Sequence, residues 1–153
     1  MRVFPKVLVY ASAVTAAFVI DSKVVPLGVR PDLVALLAYG AGLKYGPKKG
    51  IVLGSLLGLV SDGISGGMLG PGLLGKGMTG YLASLFSGGL FRWSPLFGLC
   101  GAGFLTFLDR ALSFTAVSVF DVMPAGGLHA IGMMVAPAVL NSMGGLFIRP
   151  AQR

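Results

Sequence analysis

Glycine occupies every fourth position of an apolar run in the first half of the chain, Gly50-Ile51-Val52-Leu53-Gly54-Ser55-Leu56-Leu57-Gly58-Leu59-Val60-Ser61-Asp62. Residues four apart share one face of a helix, so the glycines would form a continuous stripe. Such a stripe lets two backbones approach closely in lipid, where close packing drives helix association. We interpret it as packing within a helical bundle, and a partner interface in lipid is the alternative.

The next apolar stretch repeats this spacing, with Lys76 and Ser84 in register with its glycines. The two segments should therefore cross closely, with little side chain between them. The predicted helix-packing glycines are Gly50, Gly54, Gly58, Gly66, Gly72, Gly80 and Gly88.

The composition extends the membrane interpretation to the whole chain. Of 153 residues, 55% are apolar and only 11% are charged, and the mean hydropathy is +0.87. Soluble domains carry roughly 25% charged residues. Too few polar groups remain to cover a water-exposed surface, so the chain is predicted to be an integral membrane protein.

Six apolar segments predict an all-α transmembrane bundle of about six helices, in one domain over residues 1–153. Most are shorter than the ~20 residues that an upright span needs. The first also resembles a signal peptide, which is the alternative for that segment. The segments are 7–20, 31–43, 50–65, 72–90, 95–119 and 128–148.

Basic residues set the expected orientation. The net charge is +7, and most cations lie in short gaps between the apolar segments, which is typical of topology signals rather than of a nucleic-acid surface. Six spans with a cytoplasmic N-terminus leave Lys23 and Arg30 outside and return the C-terminus to the cytoplasm. The predicted cytoplasmic cations are Arg2, Lys6, Lys44, Lys48, Lys49, Arg92, Arg149 and Arg153.

No pattern typical of a catalytic, cofactor or metal site is found. His129 is the one histidine and Cys100 the one cysteine, so neither can complete a metal site with a second residue of its kind. Cys100 lies in an apolar run and is expected to be a small buried residue. The glycine-rich run 65–72 lacks the GK[ST] ending of a phosphate loop. The chain is therefore predicted to be non-enzymatic.

Charged residues within the apolar segments are the most informative positions. A charge in hydrocarbon costs roughly 2.5 to 3.5 kcal/mol on insertion scales, so such residues should face the bundle interior. At about 1.5 Å of rise per residue, Asp62 and Lys76 fall at similar depths, and we expect them to meet directly or through water. The predicted intramembrane cluster is Asp32, Asp62, Lys76, Asp109 and Arg110.

Several of these motifs resemble the rod shape-determining MreD family. Arg30-Pro31-Asp32-Leu33-Val34 is similar to its "PDLL" element, and the glycine run 50–62 is similar to its "G…G…GL..D" helix. Ser65-Gly66 and Leu69-Gly70 follow where its "SG…LG" turn is expected, and Gly80-Tyr81 matches its "GY" position. The similarity covers residues 30–91.

The resemblance implies a membrane subunit of the bacterial cell elongation machinery, located in the inner (plasma) membrane. The expected partner is MreC, a single-span periplasmic protein. RodA, its partner transpeptidase and the MreB filaments would belong to the wider complex. The family's fold is similar to the substrate-binding subunit of energy-coupling-factor transporters. The alternative function is therefore substrate capture in a vitamin transporter of that type.

Overall fold

The computed structural model describes residues 31–66, 69–87, 93–120 and 127–150, together with residues 12, 15–17 and 19. These residues form helices, turns and short irregular links, and no strand occurs among them. The all-α prediction is confirmed for this part of the chain. The five helices with described bounds are α1 (Leu33–Tyr45), α2 (Pro47–Ser65), α3 (Pro71–Phe86), α4 (Pro95–Phe120) and α5 (Gly127–Gly145).

Proline and an aspartate cap mark where the helices begin. Pro47, Pro71 and Pro95 open α2, α3 and α4, at the position where the missing N–H of proline costs no helical hydrogen bond. Asp32 caps α1, because its Oδ1 atom accepts a hydrogen bond from the Ala35 N–H at 2.9 Å. Gly46 alone separates α1 from α2, with a φ of 81° that favours glycine.

The bounds differ in places from the predicted segments. The fourth segment, expected over 72–90, is α3 and is followed by a turn at Ser87, while 88–90 lie outside the described residues. The fifth is one continuous helix of 26 residues that passes through Asp109 and Arg110. The sixth ends at Gly145 rather than at residue 148. Most of the first segment lies outside the described residues.

The centre of the bundle lies between α1, α3 and α4. Tyr39 and Leu43 of α1 pack with Ala83 of α3 and with Ala102 and Leu105 of α4, and all five are buried. The most extensive helix pair is α2 with α3, followed by α4 with α5, and α1 contacts each of the other four helices. The helices α2 and α5 therefore flank the central three.

Large apolar side chains remain exposed on the outward faces of the bundle. In α2, Val52 is 56% and Leu56 54% exposed, and in α5, Met133 and Val139 are each 58% exposed. Among the described residues, α4 is the one helix long and apolar enough to cross a membrane by length and composition, over Pro95–Val119. This supports membrane association, and the six-span arrangement stays a prediction.

Cys100 does not lie in the core as expected, since it is exposed. The buried side of α4 is formed by Gly98, Gly101, Ala102 and Leu105. A helix turns by about 100° per residue, so Cys100 falls on the opposite side. Apolar surroundings in the sequence therefore do not place this residue inside the bundle.

Candidate functional site

Four charged side chains from three parts of the bundle meet in its interior. They are Asp32 before α1, Lys76 in α3, and Asp109 and Arg110 in α4. The Lys76 Nζ atom lies 3.5 Å from Asp32 Oδ2 and 3.4 Å from Asp109 Oδ2, and Arg110 Nη2 lies 2.7 Å from Asp32 Oδ2. Two acids face two bases, so their formal charges cancel. We refer to these four residues as the charge cluster.

Burial distinguishes the charge cluster from a surface ion pair. Asp109 is 1%, Asp32 3% and Lys76 5% exposed. The Arg110 side chain is 36% exposed and lies at the edge of the charge cluster. Surface pairs contribute little to stability, but removing one partner of a buried pair leaves an uncompensated charge. The charge cluster therefore ties α1, α3 and α4 together in one register.

Asp32 is the centre of this arrangement because three of its oxygens are used. Its carboxylate caps α1 and accepts from the two cations. Its main-chain carbonyl accepts a hydrogen bond of 2.6 Å from the Asn141 side-chain amide of α5, which also donates to the Thr106 hydroxyl at 3.1 Å. Asp32 thereby links the start of α1 to α3, α4 and α5.

Small residues of α3 make room for the Asp109 side chain. A Cβ atom on Gly75 would overlap Asp109 Oδ1, so only glycine fits at this position. One turn further along α3, the Thr79 hydroxyl donates to the Leu105 carbonyl at 3.4 Å. The absence of a side chain at Gly75 lets the carboxylate reach Lys76.

Three buried polar atoms of this region have no hydrogen-bond partner among the described residues: Asp109 Oδ1, Arg110 Nε and Asn141 Oδ1. Buried polar groups are normally satisfied by protein or by ordered water. These atoms mark where a buried water or a small polar ligand would find a hydrogen-bonding partner.

Asp62 does not join the charge cluster, and the expected Asp62–Lys76 pair is wrong. Its carboxylate instead accepts hydrogen bonds from the Gly70, Gly72 and Leu73 amides at the start of α3, at 2.9 to 3.4 Å. Similar depth along two helices says nothing about the direction in which each side chain points. Asp62 points to the start of α3, while the Lys76 side chain points towards Asp32 at the start of α1 and Asp109 in α4.

The glycine stripe of α2 packs directly on the backbone of α3. A Cβ atom on Gly50, Gly54 or Gly58 would overlap the carbonyl oxygen of Gly80, Lys76 or Gly72, respectively. This is the close crossing that the glycine spacing predicts.

Two predicted packing glycines do not belong to this crossing. Gly66 caps the end of α2 with a φ of 64° and meets no described atom within 4 Å, so its assignment as a packing glycine is wrong. Gly88 lies outside the described residues.

The uncharged polar residues beside the charge cluster were not predicted from the sequence. Asn141 and Thr106 are each almost fully buried and connect α4, α5 and the Asp32 carbonyl. Asn141 is a polar residue within an apolar segment, which is a usable signal because an amide in a bundle needs partners. The close backbone contact between Gly98 of α4 and Gly145 of α5 was also not predicted.

Metal ligands and known relatives give no further assignment. Among the described residues, no group of three or more His, Cys, Asp or Glu side chains is placed to hold a metal ion. His129 belongs to α5, but its side chain lies outside the described part. Comparison of the chain with protein-family models, curated proteins and solved structures gives no match.

Proposed function

We propose that this chain is a non-enzymatic membrane scaffold subunit of the bacterial cell elongation (rod) complex. In this role it binds an MreC-type protein and helps to organise peptidoglycan synthesis. The observation that carries the proposal is that the residues resembling the MreD family also hold the helices together. Asp32 joins the charge cluster, Gly54 and Gly58 pack on α3, and Asp62 accepts hydrogen bonds from the start of α3.

Membrane placement is part of this proposal, with six spans and both termini in the cytoplasm. The 26 residues of α4 extend about 39 Å, enough for the ~30 Å hydrocarbon core. The 13 residues of α1 extend only about 20 Å. Its first turn is buried beside the charge cluster, where polar groups find partners away from lipid. A helix too short to cross the hydrocarbon core is therefore compatible with this buried position.

A scaffold role agrees with how the charged groups are used. Asp32, Lys76, Asp109 and Arg110 are engaged with one another, and Asp62 is engaged with α3. The outward faces of α2 and α5 are apolar and exposed. An MreC-type partner with one membrane span could pack against such a face in lipid. RodA, its transpeptidase and MreB would belong to the wider assembly.

Co-purification tests the scaffold. The full chain is co-expressed with the MreC-type protein of the same bacterium, extracted in a mild detergent, and the bound proteins are identified. We expect recovery of the MreC-type protein, and no recovery of an unrelated single-span protein at equal expression. A folded, monodisperse chain that recovers neither protein contradicts the proposal.

Solute capture in a vitamin transporter is the second candidate. The three unpartnered buried atoms, Asp109 Oδ1, Arg110 Nε and Asn141 Oδ1, favour it because a polar solute could satisfy them. Thermal unfolding with a panel of water-soluble vitamins separates the two functions. A capture subunit would be stabilised by one vitamin and would co-purify with energising subunits, and a scaffold would show neither effect.

A further inference from the structure

The exposed cations of the described residues lie at one end of the bundle. Lys76 and Arg110 are paired within the charge cluster. The other four are exposed: Lys44, Lys48, Lys49 and Arg149. We refer to these four residues as the basic rim.

Backbone contacts bring the basic rim together. Gly46 is the whole connection between α1 and α2, and its N–H donates to the Gly42 carbonyl at 3.1 Å. Lys44, Lys48 and Lys49 therefore flank one tight turn. The segment after α5 reaches the same end, because a Cβ atom on Gly40 would lie 3.6 Å from Ile148 Cγ2.

No described acid lies at this end. Asp32 is at the opposite end of α1, Asp62 is near the far end of α2, and Asp109 pairs with Lys76. The Lys44 Nζ atom lies 5.8 Å from the centroid of the Tyr45 ring, within the range of a cation–π contact. Among the described residues, this end of the bundle therefore carries four cations and no acid.

Exposed apolar side chains adjoin the basic rim. Ile51, Val52 and Leu53 follow the two lysines of α2 and are 37 to 56% exposed, and Phe147 precedes Arg149 and is 86% exposed. A soluble polyanion would contact the cations alone. A lipid has an anionic headgroup next to an apolar chain. Along α2, the two lysines are likewise followed by exposed apolar side chains.

We propose that the basic rim binds the headgroups of anionic phospholipids. The ammonium and guanidinium groups contact the phosphate oxygens, while Ile51, Val52 and Phe147 contact the acyl chains. The site selects negatively charged headgroups over zwitterionic ones, because the rim has no described acid to pair with a choline or ethanolamine group. This inference rests on the membrane placement in the proposed function.

Lipid binding by the purified full chain tests the proposal. Detergent micelles are loaded with phosphatidylglycerol or phosphatidylcholine at equal concentration, and retained lipid is measured by native mass spectrometry. The wild type should retain phosphatidylglycerol preferentially. Because one basic residue near an anionic surface contributes about fivefold in affinity, K48Q/K49Q should lower this preference by about 25-fold.

Matched variants separate the basic rim from net charge. K48R/K49R should keep the preference. K23Q/R30Q removes the same charge from the opposite predicted side of the membrane and should also keep it. An unchanged preference in K48Q/K49Q, or an equal loss in K23Q/R30Q, overturns the proposal. If inorganic phosphate alone displaces the lipid at equal concentration, the rim is a free-anion site and the proposal is also overturned.

Folding is checked by thermal unfolding in phosphatidylcholine. If K48Q/K49Q does not fold, K44Q/R149Q replaces it, with the same expected and contradicting results. The measurement contains no MreC-type protein. A chain that binds the lipid but recovers no MreC-type partner therefore contradicts only the scaffold, and the reverse result contradicts only the lipid site.

Discussion

Lys76 carries its charge at 5% exposure, within 3.5 Å of two carboxylates. Desolvating an ammonium costs several kcal/mol, and the attraction of Asp32 and Asp109 offsets that cost only while all partners are present. With Lys76 removed, Asp32 keeps its ion pair with Arg110. Asp109 loses the cation that donates a hydrogen bond to its Oδ2. The stability of the bundle should therefore depend strongly on this one side chain.

We predict that Lys76→Met lowers the free energy of unfolding by about 3 to 5 kcal/mol, since it leaves a buried carboxylate unpaired. Chemical denaturation in detergent micelles measures the change. Lys48→Met is the matched control, because it removes the same kind of side chain from an exposed position. Equal stability of the two variants would mean that the Asp109 carboxylate has another partner.

Two glycines of α2 should respond to alanine with opposite signs. A Cβ atom on Gly54 would overlap the Lys76 carbonyl oxygen, whereas one on Gly63 meets no described atom within 4 Å. Gly63→Ala should stabilise the helix by about 0.5 to 1 kcal/mol through its higher helix propensity. Gly54→Ala should destabilise by about 1 to 3 kcal/mol through overpacking, and Gly54→Leu by more. Thermal melting of all three variants tests this difference. Stabilisation by Gly54→Ala would contradict the close backbone contact between α2 and α3.

At the scale of helices, α2 and α3 form a hairpin that is held by a backbone contact along its length and by hydrogen bonds at its turn. The glycine stripe brings the backbones together, and Asp62 accepts hydrogen bonds from amides at the start of α3. Those amides have no partner within their own helix, and a carboxylate there also favours the positive end of the helix dipole. Asp62 thus has the role of a capping residue supplied by a neighbouring helix.

We predict that Asp62→Ala costs about 2 kcal/mol, because hydrogen bonds to a charged acceptor contribute about 1.5 to 3 kcal/mol and Asp62 is only partly buried. Asp62→Asn should fall between the wild type and the alanine variant, since its amide oxygen still accepts. Thermal unfolding gives the order. The control is Ser65→Ala, whose hydroxyl bonds to the Ser61 carbonyl within α2. A charge-dependent pair with Lys76 would instead make Asn as damaging as Ala.

Periodicity and composition predicted the helices well but not the direction of their side chains. Proline and apolar length place α4 correctly, and the four-residue spacing of Gly50, Gly54 and Gly58 predicts the contact with α3. The partner of Asp62 was missed because rise per residue gives height and leaves rotation about the helix axis undetermined. Cys100 was misplaced for the same reason, since it lies on the outward side of α4.

At the scale of the whole molecule, charge is distributed unequally between the two ends. The described acids lie away from the end that carries Lys44, Lys48, Lys49 and Arg149. Basic ends of membrane helices remain in the cytoplasm. The predicted orientation, with eight cytoplasmic cations to two outside, would place this end of the bundle at the cytoplasmic face.

Reporter fusions test that orientation. Alkaline phosphatase fused after Arg153 should be inactive and a fluorescent protein at the same site should be bright, because both termini are predicted to be cytoplasmic. The same reporters fused after Lys23, in the first predicted outside loop, should give the opposite result. An active phosphatase at the C-terminus would contradict both the number of spans and the orientation.

The charge cluster also has a consequence for how the protein is made. Asp32 leaves the ribosome well before Lys76, and Asp109 follows Lys76 by 33 residues. In the proposed membrane placement, a chain inserted as it is translated would bring α1 to the bilayer with a carboxylate whose counter-ions have not yet been synthesised. It should therefore wait beside the insertion machinery, or at the membrane surface, until α3 and α4 arrive. Release of these three helices into lipid is then expected to be a late and concerted step of biogenesis.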